Sequence, residues 1–196
     1  METEAMRLYK LRKIADKQLS SLGYNLICDV CGEIEYSNSS DNEMYSYARR
    51  ICLTYSENSI SSPKDPNHYT HLIRSHEYLT NQSVPIPVSI LNLCIKKMKE
   101  EGWKINHMSK FKHISADEGF ADLGFIKLYD MDDQVIYEKS ITQLAGQYCI
   151  WLKMIYNESG EHTIQIHEKL NNRNIPINVN EAMLCLKKMK EKGWIK

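Results

Sequence analysis

One passage of this chain is written twice, and whatever fold it adopts must use that passage twice. Residues 85–103 read PIPVSILNLCIKKMKEEGW, and residues 176–194 read PINVNEAMLCLKKMKEKGW. At an offset of 91, twelve of the nineteen positions are identical: Pro85/Pro176, Ile86/Ile177, Val88/Val179, Leu93/Leu184, Cys94/Cys185, Lys96/Lys187, Lys97/Lys188, Met98/Met189, Lys99/Lys190, Glu100/Glu191, Gly102/Gly193 and Trp103/Trp194. A tandem copy means one supersecondary unit used twice, so the architecture is argued from that unit.

Upstream of the passage the second copy reads more clearly. Residues 124–138 alternate apolar and polar residues on both sides of an acidic Asp130–Asp133 turn, which predicts a β-hairpin. In 140–156, Ala145, Cys149, Leu152 and Tyr156 fall at i, i+4, i+7 and i+11, a spacing that predicts a helix. NESG at 157–160 breaks it, 162–170 reads as a short second helix, and NNRN at 171–174 as a turn. Pro176 excludes a helix interior, and Asn178 or Asn180 can cap a third helix over 179–192 with Ala182, Cys185, Leu186 and Met189 on its inner face. Gly193 ends that helix, and Trp194-Ile195 opens a strand. The first copy repeats the plan: a hairpin over 25–36, a helix over 42–55, an insertion around 59–67, then the third helix and its Gly-Trp exit. Ahead of both, 4–22 is an amphipathic helix with Leu8, Leu11, Ala15 and Leu22 on one side.

This succession resembles the winged-helix branch of helix–turn–helix domains. Ala182, Leu186, Met189, Gly193 and Ile195 match the core spacing of that family's third helix and exit, and Leu91, Ile95, Met98, Gly102 and Ile105 match it more loosely. The resemblance covers 42–105 and 140–196. It implies an α+β, predominantly helical fold of two winged-helix-like modules, each a β-hairpin followed by three helices. It also implies that the third helix enters the DNA major groove. The organisation expected is an N-terminal helix over 1–23, a first module over 24–106, a linker over 107–121 and a second module over 122–196.

The balance of charge limits the partners. Lys+Arg and Asp+Glu stand at 25 each, so no global field draws in nucleic acid or membrane. No apolar run approaches the roughly 20 residues of a membrane helix, and the start lacks a signal-peptide pattern. Six cysteines without such a signal suit reduced thiols and a cytoplasmic location. The high Ile, Asn, Lys, Tyr and Ser content resembles proteins of AT-rich genomes, bacterial or phage.

The candidate nucleic-acid-binding residues are Lys96, Lys97, Asn180, Lys187 and Lys188, placed opposite the apolar stripe of the third helices. Lysines would neutralise phosphates and Asn180 would read a base edge. The plainer reading is a solvated helix face whose lysines suit the C-terminal end of the macrodipole. No Arg lies on either third helix. Asp130, Asp132, Asp133 and Trp151 are the candidates for a protein interface, the aspartates otherwise being a solvated hairpin tip. Cys28 and Cys31 form half a zinc knuckle without a second pair, so neither metal nor cofactor is expected. Cys94 and Cys185 read as small core residues, and Trp103 and Trp194 as anchors at the helix exits. With no phosphate-binding glycine loop, nucleophile elbow or zinc-helix motif, the expectation is a non-enzymatic binding protein. Its leading partner is double-stranded DNA. The alternative is a protein-binding inhibitor or adaptor, such as a phage anti-defence protein of the anti-CRISPR kind acting on a host nucleic-acid-binding complex. The N-terminal helix is a candidate homodimer contact.

Overall fold

The computed structural model describes residues 14–30, 32–38, 48–57, 69–103, 105, 111–143, 146–158 and 161–196. Each copy opens with a helix and a hairpin. Helix α1 covers 14–21, followed by β1 (Asn25–Val30), β2 (Glu33–Ser37), β3 (Arg49–Glu57), β4 (Tyr69–Glu77), β5 (Ile86–Pro87) and α2 (Val88–Glu100). The second copy follows with α3 (Ala116–Asp122), β6 (Ile126–Asp130), β7 (Gln134–Gln143), β8 (Gly146–Ile155), β9 (Thr163–Glu168), β10 (Ile177–Asn178) and α4 (Val179–Glu191). Both hairpins and both final helices stand where the sequence predicts them. Gly102 and Gly193 leave those helices at φ +73° and +72°, the left-handed turn that glycine takes without strain.

The predominantly helical, winged-helix reading is overturned. Among the described residues strand outweighs helix, 42% against 29%. Strands β3 and β8 occupy the ground of the expected helices at 42–55 and 140–156, and β9 that of the short helix at 162–170. Residues 42–47 and Ala145 lie outside the described residues. The spacing at 140–156 fits a helical stripe, but the same residues also carry a period of two. Ile150, Leu152 and Met154 are buried, while Trp151, Lys153 and Ile155 alternate with them and stay partly open. Tyr148, Ile150, Trp151 and Ile155 favour the pleated surface. Pairing decides the matter, because β8 bonds to β7 from Gln134↔Ile155 through Gln143↔Gly146 and to β9 on its other side. From Ile150 to Ile155 the strand is paired on both sides, so its backbone groups are satisfied as fully as in a helix.

The two copies are interlocked. One sheet runs β1-β2-β3-β4-β10, and the other β5-β9-β8-β7-β6, both antiparallel. Each therefore ends on a short strand from the opposite copy: Ile177 sits across from Ile73, and Ile86 across from Ile164. The chain crosses over at a local pseudo-twofold axis. Ser83 N–H donates to Asn172 O (3.0 Å), Asn174 N–H donates to Asn81 O (3.1 Å), and Gln82 bridges Arg173. Asn81 and Asn172 both take φ 54°, a conformation asparagine tolerates better than most residues. The expected module boundaries are thus crossed by two exchanged strands, and the repeat starts earlier than at the hairpins. Helix α3 occupies part of the expected linker and is the counterpart of α1. One contiguous core joins Ile34, Tyr36 and Leu53 of the first sheet, Tyr137, Leu152 and Ile164 of the second, and Leu91, Met98, Cys185 and Met189 of the helices. Among the described residues, no helix is long and apolar enough to cross a membrane.

Candidate functional site

The second lysine of each Lys-Lys pair points inward. Lys97 is 1% exposed and Lys188 is 5% exposed, so neither lies on the outer helix face where a DNA contact requires it. Lys97 Nζ donates to Asp16 Oδ2 (2.9 Å) and lies 3.0 Å from Glu101 Oε1, while Tyr36 donates to Asp16 Oδ1 (2.6 Å). The second copy repeats the clip. Lys188 donates to Asp117 Oδ1 (2.9 Å) and Asp130 Oδ2 (2.9 Å), and the Tyr137 hydroxyl donates to Asp117. Burial works to raise the Asp117 carboxyl, but hydrogen bonds from Lys127, Tyr137 and Lys188 outweigh it and hold the pKa at about 2. A buried ammonium persists only when paired, and these pairs tie the last helix of each copy to its first. The signal in the sequence is a second offset, 101, that aligns Ala15-Asp16 with Ala116-Asp117 and Tyr36 with Tyr137.

The tryptophans at the helix exits pack against the core, but the strand each was expected to anchor is not found directly after them among the described residues. Trp103 stacks on Tyr55 with ring centroids 5.6 Å apart, and His71 completes the group. Trp194 meets Tyr156 at 5.6 Å, and His162 Nε2 lies 2.7 Å from Trp194 O.

Where the two final helices approach, a cleft of about 440 Å³ opens between α2 and α4. Val88, Phe111, Met183, Leu186 and Ile195 supply its apolar surface, and Lys112, Lys187, Lys190 and Lys196 stand around it with Asn92. Among the described residues, no Asp or Glu lines it. An adjoining hollow of about 410 Å³ shares Val88, Asn92, Ile195 and Lys196 and adds Glu161, His162 and Trp194. One wall comes from segment 111–114. Phe111 is buried there, and Lys187 Nζ donates to its carbonyl (2.9 Å) and to that of Ile114. Lys187 is therefore fixed rather than free to sweep. The expected polar linker hides this wall from sequence reading; Phe111, an aromatic set among polar residues, is a hint of it.

The other predicted residues scatter. Lys96 donates to Gln18 Oε1 (2.8 Å) at the surface. Asn180 is half-buried in the first turn of α4, its N–H given to the capping Asn178 side chain (2.8 Å). Asp130 is not a free acid at a hairpin tip, because Lys127, Lys188 and Lys192 all bond it. Asp132 and Asp133 are exposed in the β6–β7 turn. Trp151 lies on the sheet face away from the core, its Nε1–H given to Glu138 (2.6 Å) with Lys169 beside the ring. Cys28 is half-buried on β1, and Cys31 lies outside the described residues. Among the described residues, no group of three or more His, Cys, Asp or Glu is placed to hold a metal. The inner side of α1, Ala15 and Leu19, is taken up by the core of its own chain rather than offered to a second copy. The site-bearing features are thus the cleft and its lysines. Protein-family models, curated proteins and solved structures were each compared with the chain, and none of the three comparisons finds a match.

Proposed function

We propose that the chain is a non-enzymatic protein-binding adaptor or inhibitor that docks an acidic, amphipathic segment of another protein in the cleft between α2 and α4. The observation that carries this reading is an apolar surface ringed by Lys112, Lys187, Lys190 and Lys196, with no Asp or Glu side chain among the described residues that line it. Apolar groups of the segment would cover Met183, Leu186 and Ile195, which are partly open, at about 25 cal/mol per Å² removed from water. Carboxylates flanking that stripe would meet the lysines. Exposed ion pairs are worth only ~0.2–1 kcal/mol each, so the lysines select the partner and speed its encounter more than they hold it.

Duplex DNA fits this surface less well. Affinity for DNA comes mainly from neutralised phosphates, yet Lys97 and Lys188 are inside the protein and the net charge is zero. Fluorescence anisotropy with three labelled probes tests the reading: a helical peptide with a leucine stripe flanked by glutamates, the same composition scrambled, and a random duplex. The patterned peptide is expected to bind at micromolar concentration, with Met183→Glu and Lys190→Glu each weakening it about tenfold or more. Equal binding of the two peptides, or tighter binding of the duplex with a steep salt response, would overturn the proposal.

A further inference from the structure

The outer edges of the two sheets are β1 and β6, and among the described residues neither has a neighbour beyond it. An open edge presents unpaired backbone groups, and proteins blunt such edges with charge, proline or bulges. Both edges here carry a bulge at matched positions, between Leu26 and Cys28 and between Lys127 and Tyr129. The β6 edge and Met131 directly after it nevertheless expose four large apolar side chains in six residues. Ile126 is 70% exposed, Leu128 39%, Tyr129 48% and Met131 54%.

The order of those six residues is self-complementary. Ile126-Lys127-Leu128-Tyr129-Asp130-Met131 laid antiparallel on a second copy of itself, centred between Leu128 and Tyr129, sets Ile126 opposite Met131, Lys127 opposite Asp130 and Leu128 opposite Tyr129. All three facing pairs are favourable, two apolar and one of opposite charge, and the twofold axis supplies each again. The matched passage of the first copy fails the same test. Laid on itself about Ile27 and Cys28, it sets Leu26 against Asp29 and Asn25 against Val30.

We infer that β6 is a homodimer seam, at which two copies of this chain pair antiparallel in that register and join their sheets edge to edge. The two bulges then face each other at the axis, and the flanking pairs 126/131 and 127/130 lie outside them. Lys127 and Asp130 keep their internal partners, since Lys127 lies 2.8 Å from Asp117 and Asp130 lies 2.9 Å from Lys188. This surface is separate from the lysine-rimmed cleft and does not depend on what the cleft binds. Six residues a side make a small interface, so the dimer is reversible, with a dissociation constant on the order of 10–100 µM.

Sedimentation equilibrium of the full chain from about 5 to about 500 µM reads this directly, since that span brackets the constant. The unaltered chain is expected to pass from monomer to dimer. Ile126→Lys or Tyr129→Lys is expected to weaken the dimer at least tenfold without moving the thermal midpoint, because both side chains are exposed. A chain carrying Ile126→Lys and Met131→Glu together should dimerise again, since these positions face each other across the axis. Ile27→Lys on β1 should change nothing. A monomer throughout the range overturns the proposal. So does a dimer that ignores both β6 lysines, one that Ile27→Lys abolishes equally, or a double variant that stays monomeric while folded.

Discussion

The first and second copies fasten their terminal helices with the same three side chains but surround them with different company. In the first, Lys97 serves Asp16 and Glu101, and Tyr36 completes the clip. In the second, Lys188 serves Asp117 and Asp130, while Lys127 and Lys192 reach the same carboxylates from outside. The helices also meet differently. Gly119 of α3 lies against Leu184 of α4, whereas the matched position on α1 is Gln18, which reaches out to Lys96. Duplication thus preserved the geometry of the clip and let its electrostatic support diverge.

The largest effect expected is from cutting the clip. Lys97→Met removes the ammonium shared by Asp16 and Glu101 and should cost about 3 kcal/mol in urea denaturation. Lys188→Met should cost less, about 2 kcal/mol, because Lys127 and Lys192 remain beside its carboxylates. Equal or reversed losses would erase the contrast between the copies. Next is the close approach of the helices. A Cβ on Gly119 would sit 2.5 Å from Leu184 Cδ2 and 3.3 Å from Phe111 Cδ1. Gly119→Ala should therefore cost about 1–2 kcal/mol of overpacking, while Gln18→Ala stays within about 0.5 kcal/mol.

A smaller effect is the acid response of the second clip. The Asp117 pKa is depressed to about 2, so its stabilisation is present above the ordinary carboxylate value. That stabilisation is lost as the pH falls from near 4 toward 2. Thermal midpoints measured from pH 5 to pH 2 should fall less steeply for Asp117→Asn than for the unaltered chain, from a lower plateau. The smallest effect concerns thiols. Burial pushes Cys94 up to about 12 and raises Cys185 as well. Native-state labelling followed by peptide mass mapping should modify Cys28 and Cys149 well before either of them. Early labelling of Cys185 alone would mean that the second copy opens more easily than the first.

Legibility differed element by element, for physical reasons. Residues 179–191 carry their helix in local terms: a capping asparagine, an apolar stripe and a terminal glycine all lie within one stretch. The hairpins are equally local, each set by alternation around a turn. Strands β3, β8 and β9 are not, because a short apolar segment can satisfy a period of 3.6 and a period of two at once, and only its neighbours choose. The lysines misled for a related reason. Lys97 and Lys188 look solvent-facing until Asp16 and Asp117 arrive from 81 and 71 residues away. The cleft was invisible because its wall, Phe111 to Ile114, comes from outside the repeated passage.

The amino-acid order alone determined that one unit occurs twice, that each unit carries a hairpin and a closing helix, and that glycine and tryptophan mark each exit. These are properties of neighbouring residues and survive without any partner. Tertiary structure decided that the middle of each unit is sheet, that the short strands before the final helices change places, and that half of the conspicuous lysines are interior. Ladder hydrogen bonds and buried ion pairs exist only between segments far apart in the chain, so their outcome is fixed when the segments meet.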